Sequence, residues 1–132
     1  MPFDKDIAAH ELQTRANEVL DAHVPLAEHS DFINTGSPLR ADLGCLAIVK
    51  DRKGLTITIE DRESGDVSQS RNIVSSMGMQ VIFNADGELE YTAIDVIGPN
   101  GGGFTREIKG ARVAGFLVAV LDAVDVEVSS VV

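Results

Sequence analysis

Leu55-Thr56-Ile57-Thr58-Ile59-Glu60 alternates without a break, with Leu55, Ile57 and Ile59 on one side and Thr56, Thr58 and Glu60 on the other. Successive side chains of a strand point to opposite faces, so this is a half-buried antiparallel strand with one dry and one wet side. Such a strand needs neighbours, and both flanks supply them. Upstream, Asp51-Arg52-Lys53-Gly54 is a turn, and Cys45 to Lys50 is a strand apolar on both faces, with Cys45 expected as a small core residue. Downstream, Glu63-Ser64-Gly65-Asp66 is a second turn. Val67 to Val74 reads two ways. Val67, Gln69, Arg71 and Ile73 alternate weakly, whereas Val67, Val74 and Met77 suit a helical face; an edge strand with a polar outer side is expected. Met79, Val81 and Phe83 alternate again, Asn84-Ala85-Asp86-Gly87 is a hairpin turn, and Glu88 to Ile97 is the last strand.

Helical periodicity flanks the strands. Asp4 and Asp6 charge or cap a start, and Ile7, Ala8, Leu12, Ala16, Val19, Leu20 and His23 recur every three or four residues. Pro25 ends this helix near Ala22 to Val24. Residues 25–44 read as an irregular segment suited to mobility or ordering by a partner. In it, Leu26 to Ile33 is a short helical turn, Asn34 to Pro38 a loop, and Ser37-Pro38 the cap of another turn through Asp42. Gly98-Pro99-Asn100-Gly101-Gly102-Gly103 breaks the chain, and Thr105 is the expected N-cap of a second long helix from Arg106 to about Val124. The tail, 125–132, alternates Val126 and Val128 as a short strand would.

The segments are therefore a helix over 1–24, an irregular stretch over 25–44, a sheet over 45–97, a glycine-rich loop over 98–104, a helix over 105–124 and a tail over 125–132. They predict one α+β domain of two layers, a four- to five-stranded antiparallel meander with both helices packed on one face. Leu12, Val19, Leu20, Leu46, Ile48, Leu55, Ile57, Ile59, Val81, Phe83 and Phe116 are expected to form one core. The order of elements resembles that of small dimeric families, among them secretion chaperones and roadblock-like proteins. The resemblance is one of fold, carried by no residue motif.

The 132 residues suit one domain, and 44% apolar with 24% charged residues is the balance of a globular chain. Acids outnumber bases 21 to 11, for a formal charge of −10, which repels phosphate backbones and anionic membranes and favours basic partners. With no Trp, one Tyr and five Phe there is no aromatic platform for single strands, and nucleic acid is not an expected partner. The charged opening, Met1 to Asp6, lacks the apolar core of a signal peptide. Val113 to Leu121, nine residues, is far shorter than a membrane span, so a cytoplasmic protein is expected. One cysteine excludes an internal disulfide and a multi-thiolate zinc site.

Few residues carry recognisable chemistry. Backbone amides of Gly101, Gly102 and Gly103, with Arg106 and a helix dipole behind them, are the candidate cradle for an anionic small molecule. The loop lacks the Gly-Lys-Ser/Thr of a phosphate-binding loop, and its strand belongs to a meander, so a plain crossover is the competing reading. His10, His23 and His29 have no metal-ligand spacing, and the serines lack a nucleophile-elbow context; no cofactor, metal site or catalytic residue is expected. Asp95 is the polar residue out of place. If Leu89, Tyr91 and Ala93 face the core, Asp95 turns inward and needs a partner such as Arg106 or Arg112; a bulge near Ala93 sends it to water instead.

Phe116, Leu117, Val118, Val120 and Leu121 point around most of the second long helix, more than a one-sided cover needs. Either the N-terminal helix or the 25–44 segment lies against it, or a second copy does, with Gly115, Leu117, Val118 and Leu121 at the dimer interface. The function these features favour is a small acidic non-catalytic protein-binding module, of inhibitor, immunity or chaperone type, acting as a homodimer on a basic protein. The alternatives are an anion-binding or enzymatic domain using the glycine-rich loop and Arg106, and a phage-type assembly protein.

Overall fold

The structure, a computed structural model, describes residues 4–61, 76–97 and 102–131. Its described elements run α1 (Lys5–His23), α2 (Leu26–Thr35), β1 (Leu39–Asp42), β2 (Leu46–Asp51), β3 (Gly54–Asp61), β4 (Ser76–Asn84), β5 (Leu89–Ile97), β6 (Gly103–Glu107) and α3 (Arg112–Val131). The strands form one antiparallel sheet in the order β1-β2-β3-β4-β5-β6, a strict meander. The α+β class and the two-layer plan follow the sequence reading, with one or two strands more than expected.

Register divides the sheet into two faces. Ile48, Ile57 and Val81 are mutual neighbours in one row, Leu55 and Phe83 in the next, and all five are buried. Thr56, Thr58 and Glu60 line the other face with Gln80 and Ile82. Over the dry face lie α1, through Ala8, Leu12, Ala16, Val19 and Leu20, and α3, through Phe116, Leu117, Val120 and Val124. Ten of the eleven expected core residues are buried in this one cluster, and Ile59 is half-buried against it.

The ends of α1 obey its sequence. Asp4 Oδ1 accepts the N–H of Asp6 at 2.9 Å, Val24 closes the last turn on Leu20, and Pro25 follows. The helix crosses the strands at one end of the sheet. Gln13 Nε2 donates to the carbonyl of Gly87 at 2.9 Å, in the β4–β5 turn, and Asn17 Oδ1 accepts from Lys50 Nζ at 3.1 Å, on β2. Alongside it, Arg15 of α1 bonds Asp125 of α3 at 3.2 Å, so α1 is the neighbour that covers α3.

Four expectations are corrected. Residues 25–44 are not irregular: they hold the ten-residue α2 and the edge strand β1. Thr105 caps no helix. Phe104 to Glu107 pair with Val96 to Ala93 as β6, and the helix begins at Arg112, beyond Gly110 in the left-handed region at φ 68°. Glycine is poor inside a helix, whereas Phe and Thr suit a strand with a ladder partner to hand. The tail does not turn to a strand; α3 runs on to Val131, because Val124 and Val128, one helical turn apart, both meet the core. Cys45 is exposed, just outside β2, rather than a core residue. The turn at 63–66 and the segment 67–74 lie outside the described residues.

Asp95 resolves to the bulge reading. Ile82 pairs with Tyr91 but Phe83 with Leu89, so Glu90 is the extra residue. Before it, Leu89 shares the dry face; after it, Thr92 and Ile94 do, and Tyr91, Ala93 and Asp95 fall on the open face. The bulge sits earlier than Ala93, with the effect foreseen for it.

Candidate functional site

One flank of α1 borders a row of clefts. Lys5, Ala9, Gln13, Asn17 and Asp21 recur every four residues, one stripe of the helix, and each lines one or more of them. The facing wall is built in turn from Gly87 to Leu89, from the β2–β3 turn, and from His29, Phe32 and Ile33 of α2. Neighbouring clefts share residues: Gln13 and Gly87 belong to the first two, Asn17, Phe32 and Lys50 to the last two.

The middle cleft, of about 280 Å³, is where polar groups converge. Lys50 reaches it through an alternation that puts its stem on the dry face with Leu46 and Ile48, at the sheet end where Leu39 and Leu55 are its cross-strand partners. Its ammonium donates to Asn17 and stands 5.7 Å from the centroid of the Phe32 ring, a cation–π distance. Arg52 comes from the β2–β3 turn, where Asp51 Oδ1 accepts the N–H groups of Lys53 at 2.8 Å and Gly54 at 3.1 Å. Its guanidinium lies across Gly36, where a Cβ would come 2.6 Å from Nε. Gly36 thus has two roles, since it also closes α2 in the left-handed conformation at φ 78°.

The expected ligand residues are not brought together. Gly101 lies outside the described residues; Gly102 and Gly103 are exposed, and Gly103 opens β6. Asp95 accepts from Thr105 Oγ1 at 2.5 Å on the open face, whereas Arg106 pairs with Ile94 and so projects to the opposite face. Arg106 therefore does not serve Asp95, and the helix dipole meant to assist it starts six residues later, at Arg112. Of the expected interface residues, Leu117 is fully buried in the chain's own core, Val118 and Leu121 are half-buried, and Gly115 is exposed.

His10 and His23 are exposed; His29 is half-buried, its Nε2 donating to the carbonyl of Leu20 at 3.3 Å and lying 3.9 Å from Asp21. Among the described residues no group of three His, Cys, Asp or Glu is placed to hold a metal ion, and no helix is long and apolar enough to cross a membrane. Arg15 is held above its ordinary pKa, first by its hydrogen bond to Glu18, then by the charges of Glu18 and Asp125. That cluster is exposed and joins two helices.

Sequence reasoning missed Lys50, Arg52 and Phe32. The signal for Lys50 was present: two-residue alternation from Leu46 through Ile48 sets it on the dry face, and a strand read as apolar on both sides hides that. The chain matches no known family model, no curated protein and no solved structure.

Proposed function

We propose that this protein is a non-catalytic protein-binding module, of inhibitor, immunity or chaperone kind, that docks a basic partner on α2. The observation that carries the reading is that α2 has no fully buried residue and leaves Leu26 and Ile33 84% and 74% exposed. Seven residues is nearly two full turns, so the pair shares one line along the helix. A helix offering two apolar anchors on one line matches the spacing that helix-in-groove recognition uses. Exposed Asp21, at the adjoining end of α1, lines the same cleft as Ile33, and Glu28 and Asp31 add exposed negative charge on the other side of the helix. With a net charge of −10, that favours a partner whose groove is rimmed by Lys and Arg.

The test is a Leu26→Ser, Ile33→Ser double variant. Both side chains are exposed, so the fold survives the change. A basic protein retained by the wild type from native lysate, released by moderate salt and lost with the double variant supports the reading. A partner held equally by both proteins, or one that is acidic and insensitive to salt, overturns it. The homodimer is a second reading, supported by the outer side of α3. Gly115 has open space where a Cβ would stand, and Ala119, one turn on, is exposed, so a second backbone has room to approach.

A further inference from the structure

We infer that the middle cleft between α1 and the β2–β3 turn is a binding site for a small organic carboxylate with an apolar body. The site uses neither Leu26 nor Ile33, the anchors proposed on α2, and lies at the far end of the strands from Gly103, since the Gly54–Asn84 pair borders it whereas Gly103 pairs with Ile97.

Charge is the first argument. In a chain of net charge −10, this cleft is lined by two cations, Lys50 and Arg52, and one carboxylate, Asp51. Neither cation is joined in an ion pair with any described residue. Asp51 holds the turn, its Oδ1 accepting two backbone N–H groups, and against its one negative charge the two cations leave the lining with a positive excess. Neutral donors add to the cations. Asn17 must turn Oδ1 to the ammonium of Lys50, which only donates, so its amide NH₂ is the end left over. Asn84 accepts the N–H groups of Asp86 at 2.9 Å and Glu88 at 3.0 Å through Oδ1, which likewise leaves its NH₂ to donate. Two cations and two amide donors around one space suit an anion that accepts several hydrogen bonds.

Shape supplies the rest. Phe32 and Leu55 line the same cleft, and its volume of about 280 Å³, just below the range of sites for drug-sized ligands, suits a small molecule. Bare phosphate leaves these apolar walls unused; a carboxylate on a ring or branched chain occupies both halves. Lys50 is held by Asn17 and Phe32, and Arg52 rests on Gly36, so both cations are positioned before a ligand arrives.

Titration calorimetry of the full chain with benzoate, and with benzamide as its neutral counterpart, tests the site. Benzoate should bind saturably, and benzamide about tenfold or more weaker, the value of a charge-assisted hydrogen bond. Arg52→Gln and Lys50→Met should each weaken benzoate about tenfold, while Lys53→Gln, in the same turn but outside the cleft, keeps the affinity. Arg52 is exposed, so its variant reports on binding even where Lys50→Met unsettles the packing under Phe32. Absence of saturable benzoate binding, equal binding of benzamide, or indifference to Arg52→Gln overturns the assignment.

Discussion

Thr92 and Ile108 exchange two hydrogen bonds: the Thr92 hydroxyl donates to the carbonyl of Ile108 at 2.7 Å, and the Ile108 N–H donates to the carbonyl of Thr92 at 2.8 Å. Thr92 is the buried polar residue of the described core, and the pair fixes the chain where it leaves β6 for α3. Thr92→Val keeps the shape and removes the donor. It should cost about 1–3 kcal/mol in denaturant unfolding, the penalty for a carbonyl left without its partner. A neutral result means that water replaces the hydroxyl.

Ile57 is fully buried at the centre of the sheet, between Ile48 and Val81. Ile57→Ala should lower unfolding free energy by about 2–5 kcal/mol, through lost transfer energy and the cavity left behind. Thr58→Ala, on the open face, is the control and should fall within about 0.5 kcal/mol of the parent. Equal effects would mean that both faces of the sheet are covered.

At Gly54 φ is 151°, and a Cβ would stand 1.9 Å from the carbonyl oxygen of Phe83. Gly54→Ala therefore forces β3 and β4 apart, and should destabilise by more than about 1 kcal/mol, with the loss visible as faster amide exchange in the first rungs of that ladder.

Leu117→Glu and Ala119→Glu separate folding from assembly. Leu117 is fully buried, so its variant should be unfolded or insoluble whatever the oligomeric state. Ala119 is exposed and should accept the charge without loss of structure. Light scattering of the parent should give about twice 14.1 kDa, and Ala119→Glu should give the single mass. A parent that stays at 14.1 kDa removes the homodimer.

Duplex DNA should bind weakly. Lys50, Arg52 and Lys53 gather at one turn but form no longer basic stripe, and a net charge of −10 opposes phosphate at long range. Filter binding at about 150 mM salt should show no submicromolar complex, and tight binding that falls steeply with salt would reverse this expectation.

Much of the frame was legible in local pattern, because burial on one side imposes a period. Ile57 and its neighbours alternate, Leu12, Ala16 and Leu20 follow a helical stripe, and both patterns end in the core. What pattern could not give was register. The Glu90 bulge inverts the alternation of β5, and only the pairing of Phe83 with Leu89 reveals where. Residues 103–107 became a strand because β5 offers them a ladder, a tertiary reason absent from their own spacing. The cleft escaped notice for a like cause: Asn17, Phe32, Lys50 and Asn84 are far apart in the chain, and the crossing of α1 over the strand ends collects them.

The unbroken strand order also sets a timetable for folding. Every strand pairs with its neighbour in the chain, so no rung joins residues more than 30 positions apart and the sheet can zip from its tight turns. The meeting of α1 with α3 is different, since it joins residues more than a hundred positions apart, as Arg15 and Asp125 do. An early sheet would hold Ile57 and Val81 bare to water until that pair of helices arrives. The vulnerable moment is therefore late, after strand amides are protected and before the roof is on, and aggregation during refolding should be governed by how fast the two helices find each other.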